Sequence, residues 1–287
     1  MKLLEKATDS DFRVFRADIK SLFARFKIDA SDADFLFAHE MGVSVPKLSL
    51  IKHITPKQAR AIEKLASRRI AGEPVQYITG YTEFCGFKIL TNKNVLIPRF
   101  DTEVLVEITR RYLPSNKARY MKILDVCTGS GAVAIALNKT TGAMLTASDI
   151  SKKALGVAQS NIKLNNAKVT LVRSDLFKNI ASQEFDIIVS NPPYISYAEF
   201  ACLDNTVKNF EPKMALTDDS DGYMFYRRLA NESPRFLTKD GRLVLEVGIG
   251  QAEEVGRLLR ANFDNIEYFR DLNAIVRVVT ATVKKRG

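Results

Sequence analysis

Apolar side chains recur three and four positions apart at the start of the chain. Phe12, Phe15, Ile19, Leu22, Phe23 and Phe26 make one face of a helix. Ser31-Asp32-Ala33-Asp34 offers an N-cap before Phe35, Leu36 and Ala38, and Thr55-Pro56 caps a helix carrying Ile62 and Leu65. The pattern predicts a small helical bundle over 1–75, ended by Gly72-Glu73-Pro74. From Tyr77 to Ile97 short extended runs take over: Phe84 to Leu90, then Val95 to Ile97, with Thr91-Asn92-Lys93-Asn94 as turn material. These predict a β-hairpin linking two domains, over 76–98. After Arg99, over 99–287, strands alternate with helices. Met121–Val126, Met144–Ser148, Val169–Arg173, Phe185–Val189 and Arg242–Val247 read as strands, with helices at Ala132–Asn138 and Lys152–Leu164. Ile266–Phe269 and Ile275–Thr282 follow with no helix between them. The expectation is an α/β domain whose largely parallel sheet has an antiparallel edge.

Composition adds limits to this outline. The chain has 287 residues, is 46% hydrophobic and 26% charged, and carries a formal charge of +10, so a folded protein with an acidic partner or a nucleic acid is in keeping. The basic residues are dispersed, apart from Lys284-Lys285-Arg286. Cys85, Cys127 and Cys202 are too far apart for a Cys-x-x-Cys metal or redox motif and favour a reducing compartment. Two histidines, His39 and His53, leave little material for a hydrolase triad or a histidine metal site, so no metal is expected. No apolar run approaches the ~18 residues of a membrane span. The opening MKLLEKATDSDF mixes acids into its first turns and reads as no leader, so a cytoplasmic protein without membrane contact is expected.

The first strand after Arg99 runs straight into Cys127-Thr128-Gly129-Ser130-Gly131 and then a helix. Glycines there let backbone amides approach a ligand, and the helix N-terminus favours negative charge. Asp149 ends the next strand and can accept both hydroxyls of a ribose. Gly129-x-Gly131-x-x-Ala134 also fits a relaxed dinucleotide fingerprint, so a nicotinamide cofactor and S-adenosyl-L-methionine both remain open at this point. Asp175, after the third strand, is placed to accept from an adenine amino group, and Leu176 to pack on the adenine face.

Asn191-Pro192-Pro193-Tyr194, after the fourth strand, is the more specific signal. An amide or ring amino nitrogen is a poor nucleophile because its lone pair is delocalised. It attacks a sulfonium methyl only when held in line with its electron density drawn back toward nitrogen. The Asn191 side-chain oxygen can accept one N–H and the Pro192 carbonyl the other. The two prolines stiffen the loop, and Tyr194 offers a flat face to a planar group. No strong general base is required, because methylation itself makes the nitrogen acidic; catalysis rests on positioning.

Together these motifs resemble the HemK/PrmC family, which methylates the side-chain amide N5 of the glutamine in the Gly-Gly-Gln motif of class I peptide-chain release factors. The likeness runs through Ala71-Gly72-Glu73-Pro74, Tyr77, Thr79-Gly80, Val95-Leu96-Ile97-Pro98-Arg99, Thr102-Glu103, Leu124-Asp125 to Gly131, Asp149-Ile150-Ser151, Asp175-Leu176-Phe177, Asn191 to Tyr194, and Phe210-Glu211-Pro212. Asp221-Gly222, Tyr226-Arg227-Arg228 and Arg277-Val278-Val279 complete it. The resemblance implies a seven-stranded Rossmann-like class I methyltransferase domain behind a release-factor-binding helical bundle. It implies S-adenosyl-L-methionine held by Cys127, Thr128, Gly129, Ser130, Gly131, Asp149, Leu176 and Asn191, with Asp175 on the adenine, and S-adenosyl-L-homocysteine as product. It also implies Asn191, Pro192, Pro193 and Tyr194 around the substrate, and a monomer with no stable nucleic-acid binding. Four positions depart from the family: Cys127 replaces a common glycine, Phe100 a proline, Leu176 a tryptophan of some members, and Asn273-Ala274-Ile275 a glycine-containing turn. A DNA adenine-N6 methyltransferase shares the tetrapeptide and is the rival reading, but such enzymes usually add a recognition region, and no long insertion follows Tyr194. A nicotinamide enzyme or a non-catalytic nucleotide-binding module is the rival from another class.

Overall fold

The computed structural model describes residues 10–284; the opening residues up to Asp9, and Lys285 and Arg286 of the basic tail, lie outside the described residues. The chain divides into two compact units, Met1–Gly80 with Asn205–Phe210, and Tyr81–Asp204 with Glu211–Gly287.

In the first unit, β1 (Ser10–Asp11) leads into α1 (Phe12–Arg25), α2 (Ala30–Met41), β2 (His53–Ile54), α3 (Pro56–Ile70) and α4 (Val75–Thr79). Phe12, Phe23, Leu36, Phe37 and Ile62 are buried together, and Phe12 meets Phe37 edge-to-face at 5.3 Å. Phe26 leaves the predicted face: it is the residue that ends α1, and its ring is exposed. The cap of α2 also lies earlier than expected. Asp29 accepts the Ser31 N–H at 2.8 Å, which frees Asp32 to pair with Arg69 and Asp34 with Arg16 and Lys20. Thr55 caps α3 as predicted, in a reciprocal box with Gln58 and with Pro56 in the first turn.

The second unit opens on a hairpin of β3 (Tyr81–Phe84) and β4 (Phe87–Leu90), followed by α5 (Glu103–Arg111), β5 (Lys122–Val126), α6 (Ala132–Thr141), β6 (Met144–Asp149) and α7 (Lys152–Leu164). Then come β7 (Val169–Arg173), β8 (Phe185–Ser190), α8 (Tyr197–Cys202), α9 (Asn205–Phe210, counted with the first unit), α10 (Met224–Glu232), β9 (Leu237–Glu246), α11 (Ala252–Leu259), β10 (Phe263–Arg270) and β11 (Val276–Val283). The sheet has seven strands in the order β10-β11-β9-β8-β5-β6-β7, parallel except where β11 pairs with β9 and β10. Alternate side chains serve two layers: Ile187 and Val189 face α5, α6 and α7, while Ile188 faces α10 and α11. Because β5 is flanked by β6 on one side and β8 on the other, the sheet's topological switch opens a crevice at their carboxyl ends.

The hairpin differs from its prediction. The run Phe84–Leu90 contains its own turn, since Cys85 at φ +49° and Gly86 at φ +78° give the two left-handed residues of a tight hairpin loop. A cysteine hides that signal. Val95 is buried on Ala154 and Val157 of α7 and lies beyond the end of β4, and the hairpin falls in the larger unit. Asn161 of α7 clamps it there: its Oδ1 accepts the Leu90 N–H at 2.7 Å, and its Nδ2 donates to the Leu90 carbonyl at 3.0 Å and the Ser130 carbonyl at 2.9 Å. Among the described residues, no helix is long and apolar enough to cross a membrane.

Asn161→Ala leaves the buried Ser130 carbonyl and the part-buried Leu90 N–H and carbonyl without their partner, so the free energy of unfolding in urea is expected to drop by about 2 kcal/mol. A drop below about 0.5 kcal/mol would show that the clamp is not needed.

Candidate functional site

The loop after β5 is built by a chain reversal that forces unusual backbone. Cys127 sits at φ +62°, Gly129 at +56° and Gly131 at +81°. The left-handed angle explains why glycine suits position 127, and the cysteine accepts it at some strain. A side chain at Gly131 would press on Ala158 at 3.2 Å, so the start of α6 needs glycine for packing as well. A Cβ at Gly129 would meet nothing within 4 Å, which leaves its backbone facing open space. Below the loop the Thr128 hydroxyl donates to Asp125 at 2.6 Å.

Asp149, at the end of β6, accepts the Gly129 N–H at 2.9 Å and the Ser151 N–H at 2.8 Å, so the loop and the acid are tied together. Desolvation raises the Asp149 carboxyl above its ordinary range despite those backbone donors. Burial pushes Asp125 up to about 7, against hydrogen bonds from Thr128 and Ala134. The Cys127 thiol is driven up by desolvation and by the charges of Asp149 and Asp125, so it stays protonated and unreactive.

A cavity of about 520 Å³ opens beside this loop and is lined by Cys127, Gly129, Asp149, Asp175, Leu176, Asn191 and Pro193. Thr128, Ser130 and Gly131 are not among its lining residues; Thr128 and Ser130 are buried and tie the loop to Asp125 and Asn161. Leu176 is buried at φ +46° and forms part of the apolar lining. Asp175 reaches the cavity with one oxygen already accepting from Arg228 Nη1 at 2.7 Å, and Arg228 is braced by Glu232 at 3.0 Å. Phe100 is exposed at 71% and does not line the cavity, so its ring is not turned inward there. Ala274 takes φ +61° in the turn between β10 and β11, which accounts for glycine being common at that turn in the family that the chain resembles.

The Asn191-Pro192-Pro193-Tyr194 corner leaves β8 with both prolines buried. The Ser190 hydroxyl donates to the Val126 carbonyl at 2.7 Å, fixing the strand end against β5. Gln251 holds the far side: its Nε2 donates to the Tyr194 carbonyl at 2.9 Å and its Oε1 accepts the Gly248 N–H at 3.0 Å. Gly222 must be glycine, because a Cβ there would lie 2.6 Å from the Tyr194 carbonyl oxygen. Asn191 Nδ2 donates to the Thr102 hydroxyl at 3.3 Å, so its amide is oriented from the side of α5. Glu211, buried, accepts the Ile97 N–H at 3.1 Å and pairs with Arg99, anchoring the segment that leads to Thr102.

Thr102, Glu246, Gln251, Asn161 and Arg228 were not picked out as site residues by sequence reasoning. The signal for Gln251 is the Gly248-Ile249-Gly250-Gln251 turn that follows a buried strand, where a polar residue is brought back over the sheet's edge.

The family model described as Methyltransferase small domain matches residues 101–210, and the one described as PrmC N-terminal domain matches residues 16–80. A release factor glutamine methyltransferase of Geobacter sulfurreducens is 42% identical over 230 residues, covering 79% of this chain and 80% of that one. Its counterpart in Thermodesulfovibrio yellowstonii is 36% identical over 269 residues, 91% of this chain and 95% of the other. Among solved structures, a methyltransferase from Pyrococcus furiosus shares the fold with a TM-score of 0.52 at 17% identity, over 69% of this chain and 90% of that one.

The buried acids at the sheet edge set a pH dependence. Asp125 and Glu246, both raised to about 7 chiefly by desolvation, keep protons in the folded chain that the unfolded chain releases above its ordinary carboxyl range. Their contribution is fully present at low pH and is lost as pH rises through about 7. The melting temperature is therefore expected to fall between about pH 4.5 and 7 and to level off above that, with Glu246→Gln shrinking the fall. A wild-type midpoint that climbs across that window contradicts the sign.

Proposed function

The chain belongs to the release factor glutamine methyltransferases, and from that membership and the site we infer that it methylates the side-chain amide nitrogen of the Gly-Gly-Gln glutamine in class I release factors, using S-adenosyl-L-methionine. The observation that carries the reading is that Asn191 and Pro193 line the same cavity as Gly129 and Asp149. An acceptor corner and a nucleoside cradle thus share one wall.

The cavity's chemistry fits the methyl donor. Asp149, partly desolvated and held by two backbone donors, can accept the ribose hydroxyls. Asp175 can take the adenine amino group, Arg228 holds its carboxylate in place, and Leu176 supplies an apolar face. The open approach at Gly129 suits close backbone contact with the ligand. When bound, the donor supplies an electrophilic methyl on a sulfonium. Asn191 Oδ1 accepts one N–H of the glutamine amide and the Pro192 carbonyl the other, which localises the nitrogen lone pair and aims it. Tyr194 packs the amide's flat face; burial, with the charge of Glu246, raises its phenol so that it remains neutral. The nitrogen sheds its proton after methylation, with no base demanded of the protein.

The release factor offers more than a tripeptide, and we assign its recognition to the first unit. The PrmC N-terminal domain match covers residues 16–80 of that unit, and Phe26 and Phe35 stand exposed on it.

Two outcomes test these assignments. Asn191→Ala is expected to cut methyl transfer about a hundredfold while S-adenosylmethionine affinity by calorimetry stays within about threefold. Loss of both together would mean that Asn191 serves the donor and not the acceptor. Phe26→Asp combined with Phe35→Asp should raise KM for the release factor about tenfold and leave kcat intact. An unchanged KM places recognition elsewhere.

A further inference from the structure

The parallel register of β8 and β9 pairs Ser190 with Leu245, so the next residues on each strand, Asn191 and Glu246, reach the carboxyl edge side by side. Glu246 is 3% exposed, and its Oε2 has no hydrogen-bond partner among the described residues. A charged group buried with an orphaned oxygen costs stability, and β9 needs no acid there for its pairing. Its main chain is fixed as well: the Tyr226 hydroxyl donates to the Glu246 carbonyl at 3.0 Å. The Thr102 hydroxyl and the Asn191 amide bear on the Glu246 carboxyl as hydrogen-bonding groups, and Arg277, Asp101 and Tyr194 are the charged and titratable groups that act on it through space. Arg277 is already shared between Asp101 at 2.8 Å and Asp271 at 3.0 Å, so it neutralises Glu246 only in part. The Thr102 hydroxyl, 4% exposed, accepts from Asn191 Nδ2 at 3.3 Å.

We propose that Glu246 is a positioning residue for methyl transfer, holding the N–H end of the Asn191 carboxamide through the Thr102 hydroxyl so that the carbonyl end faces the acceptor glutamine. This rests on the functional reading above. A carboxamide has two ends of nearly equal shape, and a hydroxyl can donate or accept. An ionised carboxylate only accepts. It therefore draws the Thr102 proton to itself, leaves the Thr102 oxygen to accept from Nδ2, and turns Oδ1 toward the cavity. The chain of hydrogen bonds also polarises the carboxamide, making Oδ1 a stronger acceptor as the attacking nitrogen gains positive charge. A protonated Glu246 can donate to Thr102 and loses both effects. Burial, opposed by the Thr102 hydrogen bond and the Arg277 charge, holds this carboxyl at about 7, so the switch falls near neutrality.

The test uses the full chain with a purified release factor. It measures kcat and KM from about pH 5.5 to 9, S-adenosylmethionine affinity by calorimetry, and melting temperature as a check on folding, for wild type, Glu246→Gln, Thr102→Val and Thr102→Ser. Wild-type kcat is expected to rise with pH and level off above about 7. Glu246→Gln should lose that inflection and lie about tenfold below the wild-type plateau, with donor affinity within about threefold. Thr102→Val should show the same kcat loss, and Thr102→Ser should restore it. A Glu246→Gln variant that keeps the wild-type inflection, or a Thr102→Val variant with full kcat, overturns the assignment while leaving the functional reading intact. A wild type that labels no glutamine overturns that reading, and this assignment with it.

Discussion

The Gln251 side chain bridging the Tyr194 carbonyl and the Gly248 N–H is the constraint on which the site depends. A loop of two prolines is stiff, but stiffness alone does not say where its carbonyls point. Gln251 pins the exit of the corner while the Ser190 hydroxyl pins its entrance on β5. The approach is close enough that Gly222 and Gly248 leave no room for side chains: added Cβ atoms would lie 2.6 Å from the Tyr194 carbonyl oxygen and 2.7 Å from Gln251 Oε1. Such a corner is preorganised, and a reaction that needs geometry more than acid–base chemistry gains most from that.

Around the corner the sheet's carboxyl edge gathers acids that burial pushes upward: Asp125, Asp149 and Glu246. A stability-first design would replace them with apolar residues. Burying them makes the edge a place where folding free energy is given up. The strained backbone at Cys127 and Leu176, left-handed without glycine, belongs to the same region. Away from it, Asp221 carries an ion pair of the ordinary surface kind, which contributes little, while those of Asp32 and Asp34 are part-buried within the first unit.

Much of this architecture can be read from local pattern. The strand runs, the Gly129 loop and the Asn191 corner each announce themselves within a few residues, because continuous apolar runs and tight turns are local properties. The parts that pattern misses depend on contacts far apart in the chain. Asn161 is an unremarked helix residue until β4 lies beside it, and Thr102, Glu246 and Gln251 acquire meaning only once β8, β9 and α5 converge. The helix Asn205–Phe210 counts with the first unit although nothing in its six residues says so. The turn at Cys85-Gly86 is hidden in the sequence because cysteine is a poor turn signal, so Phe84–Leu90 reads as one run where the chain makes two strands.

The most direct measurement is a crystal structure with S-adenosylhomocysteine and a Gly-Gly-Gln peptide bound together. The glutamine amide nitrogen is expected within hydrogen-bond reach of both Asn191 Oδ1 and the Pro192 carbonyl, in line with the sulfur of the spent donor. An amide seated elsewhere, with Asn191 Oδ1 turned back toward Thr102, would contradict it.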